Sequence, residues 1–299
     1  MILKIKKSIS CVGEKVLGKR LFSSLYSKQK IRRLYKNNVD IYQNKIFKDK
    51  HKGDRCFILG NGPSINSQDL TLLENEYVFT VNQISRHKDF QKIKPTYHFW
   101  ADPIFFNLDL SKDSDIELLN KMKEVNTADN KPICFFETKA HDLIKKTNLD
   151  KELNIFYFKT GQPFSDVAKK DIDMTSEIPG FHTVVQCAIA SAAYMGFSEI
   201  YFLGCETTGI LTSVKVRLDQ ALDDDYAYEV TKNEDERMRS RVEKVSLEQE
   251  LYSFYKTLSD YKLLYEYCEQ KGIKLYNATL GGLVEGVPRV KYENLFREV

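Results

Sequence analysis

The sequence has no run of about 18 apolar residues, so no segment has the composition of a membrane-spanning helix. It also lacks the continuous apolar stretch of a secretory leader, because lysines interrupt its beginning at positions 4, 6, 7 and 15. Its six cysteines (11, 56, 134, 187, 205 and 268) show no paired spacing. That excludes a legible disulfide framework or zinc site and fits reduced thiols in a cytosolic protein. No Asp-X-Asp metal signature closes an apolar run: Asp171-Ile172-Asp173 reads as loop and Asp223–Asp225 as part of an acidic insertion. No nucleic-acid reader motif accompanies the basic residues, so nucleic acid is not an expected partner. Histidine is scarce, at positions 51, 87, 98, 141 and 182, with none beyond His182.

What is present is a 299-residue chain of globular composition with an uneven charge. Residues 1–50 hold fourteen Lys/Arg against three Asp/Glu, a surplus of eleven; with +3 overall, the remainder carries −8. Within residues 1–36, Ile2, Ile5, Ile9, Val12, Val16 and Leu17 recur at helical spacing between lysines. This predicts a basic amphipathic arm that meets an anionic membrane surface, each Lys/Arg adding roughly 1 kcal/mol of attraction. The alternative is a helix packed on the body or on another subunit. Residues 37–54 read as linker, giving an arm and linker over 1–54 and a body over 55–299.

The body is organised around Arg55–Ile65. The apolar run Cys56-Phe57-Ile58-Leu59 has strand length and stops at Gly60-Asn61-Gly62-Pro63-Ser64. Glycines allow the backbone to approach a bulky charged group, and a strand ending in such a loop aims free N–H groups at a ligand, usually a phosphate or nucleotide. Tyr77–Val81 predicts a second strand, stopping at Asn82-Gln83. Tyr97–Trp100 predicts a third, stopping at Ala101-Asp102. In a parallel α/β sheet all strand C-termini share one edge, where ligands bind. Three successive strands ending in Asn61/Ser64, Asn82/Gln83 and Asp102 therefore predict a sheet-edge pocket.

Strands are also expected over Pro132–Phe136 and Leu153–Phe158, with Gly161–Pro179 as loop. Thr183–Met195 predicts a helix of small residues ended by Gly196, and Glu199–Leu203 a strand ending at Gly204-Cys205-Glu206. Residues 207–245 lack clear periodicity and read as a lid or a disordered excursion, with Arg237, Arg239, Arg241, Tyr226 and Tyr228 as candidate phosphate contacts. A long amphipathic helix over 246–271 and a last strand over Ile273–Tyr276 complete the body.

Taken together, GNGPS at 60–64, VNQ at 81–83, HTV at 182–184, YMGFSEIYFLGCE at 194–206 and GIKLYNATLGG…EGVPRV at 272–290 resemble the 6-hydroxymethylpterin diphosphokinase-like family, whose bacterial branches include motility-associated-factor glycosyltransferases. The first, second and fourth segments are also similar to bacterial CMP-sialic acid sialyltransferases. The resemblance covers roughly residues 55–295 and implies a Rossmann-like α/β domain, with a mostly parallel sheet, helices on both faces and a lid at 207–245.

For function, the resemblance implies a glycosyltransferase using a nucleotide-activated sugar, foremost a CMP-linked nonulosonic acid, in bacterial surface-glycan synthesis. The acceptor would be a glycan or glycolipid, and the basic arm, which lies outside the resemblance, would hold the enzyme at the inner face of the cell membrane as a cytoplasmic, peripheral protein. Gly60, Asn61, Gly62, Ser64, Asn82, Gln83, Thr183, Gly204, Cys205 and Glu206 would bind the donor. Asp102 would lie near its sugar or phosphate. The sialyltransferases place a catalytic His in or just after the lid. This chain has none there, so His182, a carboxylate or different chemistry must serve. No cofactor or metal is expected for a single-phosphate donor. Two rivals stay open: Mg²⁺-dependent diphosphate transfer from ATP to a pterin alcohol, with Asp102 and Glu206 as metal ligands, and a nucleotide-sugar-binding protein without activity. A homo-oligomer is also left open.

Overall fold

The computed structural model describes residues 40–167, 171–220 and 226–297. The expected amphipathic arm over 1–36 lies outside them. Eight strands form one sheet: β1 (Arg55–Leu59), β2 (Tyr77–Val81), β3 (Tyr97–Trp100), β4 (Ile133–Glu137), β5 (Asn154–Pro163), β6 (Glu177–Gly180), β7 (Glu199–Leu203) and β8 (Lys274–Asn277). Their order is β6-β5-β4-β3-β2-β1-β7-β8. Every pairing is parallel. The fold is α/β and Rossmann-like. From β1 the chain builds outward to β6 and then returns to place β7 on the other side of β1. The order therefore reverses between β1 and β7, the place where open parallel sheets bind ligands beyond their strand ends.

The central strands are buried along almost their whole length, which is why they read as unbroken apolar runs in the sequence. On one face, Ile58, Phe79, Phe99, Phe135 and Phe202 share a cluster with residues of four helical stretches. Five helices matter below: α1 (Asp113–Lys123), α2 (Val184–Tyr194), α3 (Gly209–Arg217), α4 (Lys232–Glu243) and α5 (Leu247–Gln270). Ten of the eleven α2 residues are buried, and its alanines let it press closely on the sheet. The other face is closed in part by the C-terminal segment, where Phe296 stacks on Phe57 at 5.5 Å, and by Phe105 packed edge-on against Trp100 at 4.7 Å.

Three expectations change. Residues 41–54 are part of the compact body and not linker. Phe47 is buried against Tyr97, Phe135 and Phe156. Asn44 Nδ2 donates to the carbonyls of Tyr157 (2.8 Å) and Met174 (2.9 Å). The N–H groups of Asp49, His51 and Gly53 close the end of α2 through the carbonyls of Tyr194, Met195 and Gly196. Second, the stretch 161–179 is not all loop: β5 runs on to Pro163, and Glu177–Gly180 adds β6 at the sheet edge. Third, the insertion 207–245 carries two helices, α3 and α4. Among the described residues no helix is long and apolar enough to cross a membrane.

Candidate functional site

The β1 turn and the β7 turn are interlocked. Gly60 N–H donates to Leu203 O (2.8 Å) and Gly62 N–H to Gly204 O (2.9 Å). Ser64 N–H donates to Glu206 Oε1 (2.5 Å). Three N–H groups expected to face a phosphate are thus spent inside the protein, two on carbonyls and one on a carboxylate. GNGPS acts here as a seat for Glu206. Gly62 leaves room for that carboxylate, and Gly282, at φ +85°, leaves room for the Glu206 backbone, whose carbonyl accepts from Leu283 N–H (2.9 Å).

Around this seat several polar atoms are buried without a partner: Asn61 Oδ1, Ser64 Oγ, Asn82 Oδ1 and Glu206 Oε2. Buried acceptors are rarely left unpaired, because each forfeits its hydration without return. Asn82 also holds a left-handed backbone at φ 50°, and Thr207, just beyond Glu206, does so at φ 58°. For a β-branched residue this conformation is strained, and such strain clusters at functional positions.

A cavity of about 150 Å³ lies over this edge. The body contributes Asn61, Asn82, Gln83 and Asp102, which joins the ends of β1, β2 and β3 as the sequence predicts. The insertion contributes Tyr228, Met238 and Arg241. The insertion rests on the turn itself, since Ala227 N–H donates to Asn61 O (2.9 Å). It is clamped further by Arg86, whose Nη1 meets both Glu234 oxygens (2.8 and 3.0 Å) and whose guanidinium lies 4.3 Å from the Tyr228 ring centre. Lys121 approaches the same carboxylate at 3.5 Å. Burial alone would raise the Glu234 carboxyl, but Thr231 N–H, Arg86 and Lys121 outweigh it and hold the group below its usual range.

Of the insertion's arginines, Arg237 pairs with Asp115 on α1 (2.8 Å) and Arg239 with Asp235 on its own helix (2.9 Å). Arg241 is different: it is 69 % exposed and stands 3.8 Å from Asp102. Asp102 in turn caps the following turn through Ile104 N–H (3.0 Å). Among the described residues no three of His, Cys, Asp and Glu gather as a metal-ligand set.

The remaining expected residues lie on the same strand edge but not in the cavity lining. Thr183 caps α2 in a reciprocal box with Gln186, whose side-chain oxygen accepts the N–H groups of Thr183 and His182 (3.1 and 3.2 Å). Cys205 is buried, and burial pushes its thiol up. Gly204 takes φ +65° against Ile65. His182 Nδ1 lies 2.8 Å from Asp260 Oδ2 on α5. Asp260 was not singled out from the sequence. Its signal was a carboxylate on the apolar stripe of a long helix, one residue before Tyr261.

Residues 29–208 match the family model described as 6-hydroxymethylpterin diphosphokinase MptE-like. The chain belongs to the MptE-like family. The matched region carries β1 to β7 and every candidate residue through Glu206; α4 and α5 lie beyond it. No curated protein matches the MptE-like chain. Among solved structures it is similar to the MAf glycosyltransferase from Magnetospirillum magneticum AMB-1, with 13% identity and a TM-score of 0.44 over 85% of this chain and 38% of that one. It is also similar to the sialyltransferase CstII from Campylobacter jejuni, solved with cytidine-5'-monophosphate, with 18% identity and a TM-score of 0.39 over 79% of this chain and 87% of that one. The MptE-like chain thus spans well under half the length of the first.

Proposed function

We propose that this chain is a glycosyltransferase whose donor is a sugar activated by a nucleoside monophosphate, with a CMP-linked nonulosonic acid as the leading candidate. The observation that carries the reading is the acceptor-rich chemistry of the lid-covered strand edge. Asn61 Oδ1, Asn82 Oδ1 and Glu206 Oε2 are buried and unpaired, so they call for donors. Ribose and sugar hydroxyls and an exocyclic base amine supply donors. A polyphosphate adds only acceptors, and in the cavity its charge would meet the carboxylates of Asp102 and Glu234.

A single phosphate suits what is left. Arg241, loosely held by Asp102, is the lid cation able to turn to it. As the anomeric C–O bond breaks, negative charge gathers on the departing phosphate, and a cation already placed there lowers the barrier. The cavity of about 150 Å³ is smaller than the roughly 300–1,000 Å³ of ligand pockets, so donor entry requires the lid to lift. The acceptor in this reading is a glycan or glycolipid, and the basic arm holds the enzyme at an anionic membrane face.

Thermal-shift measurements with CMP, UDP, GDP and ATP, each with and without Mg²⁺, test the reading. CMP is expected to stabilise the protein without Mg²⁺, and Asn61→Ala and Asn82→Ala to weaken that binding by about 1–3 kcal/mol. Stabilisation by ATP–Mg²⁺ and not by CMP would overturn it in favour of diphosphate transfer, the activity in the family's description. CMP binding without donor hydrolysis or transfer would leave a binding protein.

A further inference from the structure

His182 and Asp260 form a pair that neither the sheet nor the donor cavity requires. His182 lies between β6 and α2, where Gln186 fixes its backbone N–H. Its Nδ1 meets Asp260 Oδ2 at 2.8 Å, and the side chains are 27 % and 0 % exposed. Asp260 projects from the middle of α5 beside Tyr261, Leu264 and Cys268, all buried. Its second oxygen, Oδ1, has no partner. A buried carboxylate half-satisfied in this way is costly to a fold, and an apolar residue there would pack without that cost.

The carboxylate can only accept, so the shared proton belongs on His182 Nδ1. The neutral ring then carries its lone pair on Nε2, which makes no hydrogen bond among the described residues. An imidazole with one nitrogen anchored by a buried carboxylate and the other open is the arrangement of an oriented base. Its place is also set. Gln186, which holds the His182 N–H, donates its Nε2 to the Thr257 carbonyl of α5 (2.8 Å), and Tyr261, next to Asp260, stacks on Phe202 of β7 at 5.2 Å. One turn of α5 thus binds the His182 loop to the strand end that bears Glu206.

We propose that His182 is the base that takes the proton of the acceptor hydroxyl and that Asp260 is its positioning residue; this rests on the glycosyl-transfer reading above. In the step, the acceptor oxygen forms the new bond to the anomeric carbon. The bond from that carbon to the nucleotide phosphate breaks, and its electron pair leaves with the phosphate. The hydroxyl proton passes to His182 Nε2, giving an imidazolium whose Nδ1–H stays on Asp260.

The test uses the full chain labelled with ¹⁵N. Long-range ¹H–¹⁵N NMR, with His182→Gln identifying the signal, is expected to show the Nδ1–H tautomer in the unmodified protein. Asp260→Asn should shift it toward Nε2–H. With CMP-activated donor, His182→Gln and Asp260→Asn should each lower kcat for transfer by about 10²–10⁴-fold while donor KM and stabilisation by CMP stay unchanged. If Asp260→Asn fails to fold, the tautomer of the unmodified chain and the kinetics of His182→Gln decide. An Nε2–H tautomer in the unmodified protein, or transfer by His182→Gln at the unmodified rate, would overturn the proposal. Absence of CMP binding would instead sink the donor reading, and the tautomer result would still report on the pair.

Discussion

The carboxylate of Glu206 occupies the space a side chain on Gly62 would need: a Cβ there would lie 1.6 Å from Glu206 Oε2. The Gly62 backbone, at φ −73° and ψ 150°, is open to any residue. The position therefore demands glycine for room and not for backbone freedom. Gly62→Ala is expected to expel the carboxylate from the turn and to cost about 1–3 kcal/mol, as overpacking does. Urea unfolding measures it. The cost should shrink when Glu206→Ala is added, because the two changes share one clash. A neutral Gly62→Ala would mean that Glu206 is not seated as described.

The lid should open without the body. Arg86 and Glu234 are 13 % and 10 % exposed and share two hydrogen bonds, so the loss of one partner leaves a half-buried charge behind. Arg86→Ala is expected to speed amide hydrogen exchange across Lys232–Glu243 by about 10–100-fold, equivalent to about 1.4–2.7 kcal/mol. Exchange in β1 to β4 should be unchanged. Equal acceleration in both would show that the lid and the sheet unfold together.

Stability should fall on mild acidification. Burial lowers the pKa values of His51, His87 and His98, that of His98 to about 3, from an ordinary 6.5. Each takes a proton more readily when unfolded, so its contribution is whole above pH 6.5 and is lost as pH falls toward the folded value. Between about pH 6.5 and 5 His98 adds up to about 1.4 kcal/mol of destabilisation per pH unit, and His51 and His87 act in the same direction. Urea midpoints across this range should decline, and His98→Gln should make the decline shallower. A flat profile would contradict the burial of a neutral His98 beside Thr80.

The charge surplus of residues 1–50 predicts a surface affinity. Full-length protein should sediment with vesicles containing anionic lipid, and a chain lacking residues 1–36 should not, with CMP stabilisation equal in both. Sedimentation that survives the truncation would remove the membrane argument.

The sheet was legible because buried parallel strands are written as apolar runs, and Asn61, Asn82 and Asp102 were legible because each follows such a run. Other parts were not, for identifiable reasons. Residues 41–54 are polar and basic, and what buries Asn44 is its fit to two carbonyls more than 100 residues away. β6 is Glu-Ile-Pro-Gly, tolerated as a strand only at a sheet edge, so its composition reads as loop. Asp260 was hidden by the strong helical periodicity around it. On a stripe that runs through Thr257, Tyr261, Leu264 and Cys268, one inward carboxylate marks a partner that no local pattern names.

The placement of β1 between β2 and β7 has a consequence for the order of synthesis. Emerging from the ribosome, β1 can pair at once with β2, its near neighbour in sequence. Its other edge waits for Arg55–Leu59 to meet Glu199–Leu203. Ser64 waits 142 residues for Glu206. Until then the turn holds unmet N–H groups beside an open, apolar strand edge, the kind of surface on which nascent chains misassociate. The seat of the candidate site is therefore also the last seam of the sheet's centre to close, and substitutions in it are expected to lower the yield of folded chain before they alter its chemistry.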